Sequence, residues 1–313
     1  VLRLYSAHLT KWAGLRPIMI FLKTKRPLCS ASAGFSGIEG DKMSIKHPII
    51  SVTGSSGAGT STVKHTFDQI FRREGVSSVS IEGDAFHRYN RKDMKAELER
   101  RLSEGDHSFS HFSYEANELA ELESVFRIYG ETGKGRTRTY VHNVDEAEHF
   151  ATDPGKFTDW RDFEDGSDLL FYEGLHGAVS DKGIEIAKMA DLKIGVVPVI
   201  NLEWTQKIHR DKAERGYSTE AVTDVILRRM DAYVKCIVPQ FSQTDINFQR
   251  VPVVDTSNPF IARSIPTPDE SLVVIRFANP RGIDFQYLTA MIDASWMSRA
   301  NSIVIPGNKM DLA

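Results

Sequence analysis

The stretch Gly54-Ser55-Ser56-Gly57-Ala58-Gly59-Thr60-Ser61-Thr62 has the residue types that cradle a phosphate. Glycines let successive backbone N–H groups close around phosphate oxygens, and a helix starting there adds a favourable dipole. Ser61 occupies the hydroxyl position that would touch Mg²⁺ in a loop of the form GxxxxGK[ST], but Thr60 stands where that pattern requires lysine. A glycine-rich turn opening a helix would look the same in isolation. The flanking elements and an acidic strand end in the next unit favour the phosphate loop.

Two acids stand at the ends of expected strands. Asp84 follows Val79–Ile81, and Glu173 closes Leu169-Leu170-Phe171-Tyr172. In parallel sheets ligands bind at the carboxyl ends of strands. There Glu173 suits a group reaching Mg²⁺ directly or through water, and Asp84 suits either that role or acceptance of a hydroxyl proton. Asp is also a common turn residue. Lys207 is the best source of the cation that the loop lacks; with Arg210, Asp211 and Arg215 it falls on one helix face at spacings of 3, 1 and 4. A solvated charged face would show the same spacing. His87, Arg91 and Lys95 follow Asp84, and Arg136, Arg138, Tyr140 and His142 alternate further on as though on one strand face. Cations gathered near an acid suggest a second anionic ligand, since guanidinium forks suit phosphate oxygens. The alternating set could equally be a solvent-facing strand.

These groups need elements to position them. Ile49–Val52 is expected to be a buried strand, Thr60–Glu74 a helix with apolar Val63, Phe67, Ile70 and Phe71, and Val79–Ile81 a second strand. A polar insertion follows, with helices near Arg91–Leu102 and Glu115–Tyr129 and an extended basic segment Lys134–His142. Leu169–Tyr172, Leu192–Val199, Leu272–Phe277 and Ile303–Ile305 read as strands, and Leu202–Arg215 and Thr219–Cys236 as helices. Alternation of this kind implies an α/β fold, a mostly parallel or mixed central sheet with helices on both faces. The insertion then forms a lid on one domain spanning 43–313.

The 313 residues carry 39 basic and 42 acidic side chains, a net charge of −3, but the two signs are unevenly placed. Residues 1–42 hold 7 basic and 2 acidic side chains, leaving 32 basic and 40 acidic beyond them, near −8. A body of that sign argues against nucleic acid. The basic leader reads either as a transit peptide or as a start placed too early, with Met43 the true beginning. No run approaches the roughly 18 apolar residues of a membrane span, and Cys29 and Cys236 are too few for a disulfide framework. A cytoplasmic setting is expected.

Taken together, Gly54–Thr62, Glu82–Arg88, Gly135–His142, Phe171–Gly177, Asn201–Trp204, Lys207–Asp211 and Gln240–Phe248 resemble phosphoribulokinases of the purple-bacterial type, from about Met43 to the end. That branch lacks the loop lysine, so the resemblance accounts for Thr60. It implies a P-loop kinase-like fold and transfer of phosphate from ATP, with Mg²⁺, to the C1 hydroxyl of ribulose 5-phosphate. It also implies Asp84 as general base, Lys207 at the transferring phosphoryl and Glu173 near the metal. The sugar phosphate would be held by His87, Arg91, Tyr140, His142 and Arg215, with Arg210 and Asp211 beside them, and Asp211, Arg228 and Arg229 would either support these residues or touch ATP. It further implies a homo-oligomer, octameric in form, activated by NADH and inhibited by AMP. The regulatory loop cysteine of chloroplast relatives is absent, so thioredoxin control is not expected.

Three other readings are open to test. Asn308-Lys309-Met310-Asp311 fits the guanine-reading NKxD pattern, but it lies far from the loop in sequence and lacks a DxxG partner. A uridine-kinase-like enzyme would share the fold and loop, and is distinguished by the His87–Arg91 and Arg136–His142 sets. A non-catalytic nucleotide-binding regulator would explain Thr60 but not the retention of Asp84, Glu173 and Lys207.

Overall fold

The computed structural model describes residues 47–55 and 57–312. The basic leader, Ser56 and the side chains of Ser61 and Arg215 lie outside the described set. Strand β1 (Ile49–Thr53) is buried along its whole length and runs through the phosphate loop into α1 (Thr60–Glu74). After β2 (Ser78–Glu82) come α2 (Arg91–Ser103), α3 (Leu119–Thr132), β3 (Arg136–Thr137), α4 (Val144–Phe150) and β4 (Arg161–Asp162). The chain returns through β5 (Leu169–Gly174), the short α5 (Ile186–Met189), β6 (Leu192–Val196), α6 (Ile200–Arg215) and α7 (Thr219–Ala232). It ends with β7 (Ile246–Pro252), β8 (Ser271–Phe277), α8 (Phe285–Met291), β9 (Trp296–Arg299) and β10 (Ser302–Pro306).

Eight strands form one sheet in the order β2-β5-β1-β6-β7-β8-β10-β9. The first five run parallel, and the β7–β8, β8–β10 and β10–β9 pairs are antiparallel. The parallel half needs cover on both faces, and the alternation of side chains supplies it. Ile49, Leu170 and Tyr172 face α3, where Leu122, Val125, Phe126 and Tyr129 are buried. Ile50, Val52, Leu169 and Phe171 face Phe67 and Phe71 of α1 on the other side. Full burial of side chains this size stabilises the fold by roughly 1.5–3 kcal/mol each. The antiparallel half shows single-face alternation, with Val273, Ile275 and Phe277 of β8 packed with Ile303 and Ile305 and partly covered by α8.

The expected elements are present with local shifts. Tyr114–Ala116 forms a 3₁₀ turn and α3 starts at Leu119, later than the apolar spacing alone suggests, because the chain between is tied down by Asn117. The helix expected over Thr219–Cys236 changes to a π-helical turn over Tyr233–Ile237. The strand expected over Lys134–His142 is regular only at Arg136–Thr137, which pairs with β4. Asn308–Lys309 belongs to a 3₁₀ turn after β10, with three strands between β10 and β1, so the guanine-reading pattern sits nowhere near the phosphate loop.

Candidate active site

The order β2-β5-β1 brings three parallel strand ends side by side. β5 pairs Glu173 with Val52 of β1 on one flank and with Glu82 of β2 on the other. The phosphate loop after β1, Glu173 in the last turn of β5 and Asp84 just past β2 therefore share one edge. The ends approach closely. A Cβ on Gly83 would lie 2.8 Å from the Cα of Gly174 and 2.7 Å from the Tyr172 hydroxyl, and only glycine fits there. Gly59, at φ 100°, adopts the left-handed conformation that turns the loop into α1. Within the loop, the amides of Gly57 and Ala58 bond the Ser55 carbonyl at 2.8 and 3.0 Å.

Thr60 is buried where the common pattern has lysine, and its hydroxyl favours the ionised form of the nearby Glu173 carboxyl. Burial pushes the Glu173 carboxyl up, the Thr60 hydroxyl opposes this, and the charges of Asp84 and Glu82 push it up further. A cation beside Glu173 would relieve that crowding. Lys64, one turn along α1 from Thr60, already pairs with Glu82.

Asp84 lies in a 3₁₀ turn, Gly83–Phe86, with its carboxylate 40% exposed and two imidazoles against it. His87 Nε2 is 3.2 Å from one oxygen and His142 Nε2 is 3.4 Å from the other. Burial pushes the Asp84 carboxyl up, but the hydrogen bond and charge of His87, with His142 and His111, outweigh it and hold it at about 2. His87 is itself oriented. Asn117 donates both amide hydrogens toward the carbonyls of His111 and Ser113, at 2.9 and 2.8 Å. Its oxygen is left to accept from His87 Nδ1 at 2.7 Å. Burial lowers the His87 pKa, yet the hydrogen bonds and charge of Asp84, with Asn117, leave it raised.

Around this pair three of the sequence-predicted residues, Arg91, Tyr140 and His142, converge. Tyr140 stacks edge-on against His142 at 4.9 Å and His87 at 6.2 Å. Arg91 donates to the His142 carbonyl at 2.8 Å. Lys207, largely buried on α6, pairs with Asp211 at 2.6 Å, and Arg210 Nε lies 3.5 Å from the same carboxylate. Burial pulls the Lys207 pKa down, the Asp211 bond opposes this, and Arg229 and Arg210 add to the lowering.

Other cations serve the fold. Arg138 donates to the carbonyls of Ala85 and His87, both at 2.8 Å, and lies 3.8 Å over the Phe157 ring. Arg136 pairs with Glu121 at 3.0 Å, and Lys95 and Arg228 face solvent on Glu99 and Asp224. The expectation that Arg136, Arg138, Tyr140 and His142 line a single strand face is corrected by these partners: the strand is two residues long, Arg136 pairs with Glu121 of α3, and Arg138 beyond it holds the turn after β2.

Some residues at the site escape sequence reading. His111 lies 5.6 Å from the His87 ring and 3.2 Å from Arg229; burial first, then Arg229 and His87, push it down to about 3. Asn117, Glu203 and Tyr233 are buried polar groups beside the site; Asn117 and Tyr233 are isolated in sequence, and Glu203, though within the Asn201–Trp204 segment, has no pattern that assigns it a role.

Residues 49–257 match the model of the phosphoribulokinase / uridine kinase family. The chain belongs to this family. Among its members, phosphoribulokinase 1 of Cereibacter sphaeroides is 80% identical over 271 residues, covering 87% of this chain and 93% of that protein. A phosphoribulokinase of Nitrobacter vulgaris is 68% identical over 268 residues, covering 86% and 92%. The solved structure of a phosphoribulokinase from Rhodobacter spheroides superposes with a TM-score of 0.78 at 78% identity, over 85% of this chain and 92% of that one. The matched residues include the glycine-rich loop with threonine in place of lysine. No described helix is long and apolar enough to cross a membrane.

Proposed function

We infer that this chain transfers the terminal phosphate of ATP to the C1 hydroxyl of ribulose 5-phosphate, giving ribulose 1,5-bisphosphate and ADP. The carrying observation is the placement of Asp84: an ionised carboxylate at the strand edge shared with the phosphate loop, framed by His87, Arg91, Tyr140 and His142. Identities of up to 80% to phosphoribulokinases support the same substrate.

Gly54–Thr62, including Ser55 and Ser56, receive the nucleotide phosphates through backbone N–H groups. His87, Arg91, Tyr140, His142 and Arg215 hold the sugar phosphate. Arg210 steadies Asp211, which in turn orients Lys207 at the transferring phosphoryl. The C1 oxygen forms a bond to the γ-phosphorus as the bond to the β,γ-bridging oxygen breaks, and the hydroxyl proton passes to an Asp84 oxygen. With its pKa held at about 2, Asp84 is ready as an acceptor at neutral pH. Such a weak base takes the proton late, which suits a loose transition state driven by positioning and charge neutralisation. Ser61 and Glu173, with Asp84 adjoining, are the residues that would hold Mg²⁺. The crowded carboxyl of Glu173 fits a cation, and the bound metal would neutralise charge on the phosphates.

A coupled ADP-release assay with ribulose 5-phosphate, with uridine and with no acceptor tests the reading. Turnover is expected only with ribulose 5-phosphate; activity with uridine alone, or none at all, refutes it. The octameric assembly, the responses to NADH and AMP, the cytoplasmic setting and the single domain over 43–313 belong to the same proposal. Size-exclusion chromatography and effector titration check the first two.

A further inference from the structure

Without a lysine in its phosphate loop, this chain must bring the cation from a separate element, α6. A lysine within the loop is placed by chain continuity, whereas one on another helix is placed only as well as that helix is docked. The dock lies one turn before Lys207. Residues four apart share a helix face, so Glu203, Lys207 and Asp211 form one buried stripe along α6.

Glu203 is 6% exposed, and one of its oxygens accepts a hydrogen bond from the fully buried Ser55 hydroxyl of the phosphate loop. Its other oxygen accepts from the Tyr233 hydroxyl at 3.5 Å. The loop rests directly on this stripe: a Cβ on Gly57 would lie 3.2 Å from Glu203 Cγ and 3.5 Å from its backbone oxygen. Tyr233 opens the π-helical turn after α7, an irregularity that often marks functional positions. An apolar side chain of similar volume would fill the space without the cost of burying a carboxyl group. What it could not supply is direction. A hydrogen bond to Ser55 fixes the register of α6 against the loop, and so the position of Lys207 one turn on.

We propose that Glu203 is a positioning residue that tethers the lysine-bearing helix to the phosphate loop, so that Lys207 does the work of the missing loop lysine. The proposal rests on the reading of Lys207 as the cation at the transferring phosphoryl.

The test compares Glu203→Leu, Glu203→Gln and Ser55→Ala, each alone and combined with Lys207→Met, by kcat, the two KM values and thermal melting. Glu203→Leu and Ser55→Ala are expected to lower kcat about 10- to 100-fold, with each KM within about threefold. Glu203→Gln, whose amide oxygen still accepts from Ser55, should stay within about threefold of the parent in kcat. In the Lys207→Met background the Leu and Ala changes should cost less than about twofold more, because residues acting as a unit are not additive. Losses that multiply in full in that background, with Lys207→Met itself impaired, overturn the tether alone. Normal turnover of Lys207→Met by itself overturns the Lys207 assignment and the tether with it. Should Glu203→Leu fail to fold, Ser55→Ala, which removes one oxygen from the other end of the bond, decides the matter.

Discussion

Asp84→Asn removes the carboxylate while keeping the size of the side chain and one accepting oxygen. In the parent, His87 and His142 stand 3.2 and 3.4 Å from the two oxygens, and the carboxyl is held at about 2 against its ordinary 3.8. Converted in full, that difference is about 2.4 kcal/mol. The side chain is 40% exposed, so solvent screening reduces the expected contribution to about 1 kcal/mol. The sign follows from the lowered pKa: the stabilisation is complete above the unfolded value and fades as pH falls toward about 2. At pH 7 the Asn variant should melt about 2–4 °C lower, and the gap should narrow below pH 4. The raised pKa of His87 should fall, because its main charge partner is gone; ring-nitrogen NMR reads this directly. Turnover should drop about 10²- to 10⁴-fold, the range for losing a positioned general base. The KM for ribulose 5-phosphate should change less than about fivefold, because Arg91, Tyr140 and His142 remain to hold it. Coupled ADP release and thermal melts over pH supply the data. A kcat within about threefold of the parent, or a loss confined to KM, would refute the assignment of Asp84 as base.

Thr60→Val keeps the shape of a buried side chain but removes the hydroxyl that opposes the rise of the Glu173 pKa. The Glu173 carboxyl, already pushed up by burial, should rise further, moving the acidic limb of kcat/KM to higher pH and lowering neutral-pH turnover about two- to tenfold; superimposable pH profiles would sink this. Gly83→Ala forces a Cβ to within 2.7 Å of the Tyr172 hydroxyl and 2.8 Å of the Gly174 backbone. Overpacking of this kind costs about 1–3 kcal/mol, so a melting temperature equal to the parent's would show that the strand ends have slack.

Much of the catalytic half of the fold could be read from local pattern. The strands β1, β2 and β5 announce themselves as short apolar runs, and α1 by the spacing of Phe67, Ile70 and Phe71. Glu173 draws notice because an acid at the end of so apolar a run needs a partner, and Asp84 because it follows the neighbouring strand end. Reading fails where the local signal is mixed. β7, Ile-Asn-Phe-Gln-Arg-Val-Pro, is half-buried at every position and shows no period of two; its place in the sheet comes from pairing with β6 and β8. Lys134–His142 alternates like a strand, yet Arg138 is spent on the carbonyls of Ala85 and His87.

The sequence by itself determined the loop, the acids at the strand ends, the absence of the loop lysine and the candidate cation on α6. These depend on neighbours one to four residues apart, which periodicity and turn chemistry record. The tertiary structure alone decided how the groups serve one another. His87 is turned toward Asp84 by an asparagine 30 residues away, and the phosphate loop is held to the lysine helix by a bond between Ser55 and Glu203, 148 residues apart. Pairings over such distances follow from the strand order β2-β5-β1-β6. Strand order is settled by the joint packing of both sheet faces, a property of the whole chain that no window of sequence contains.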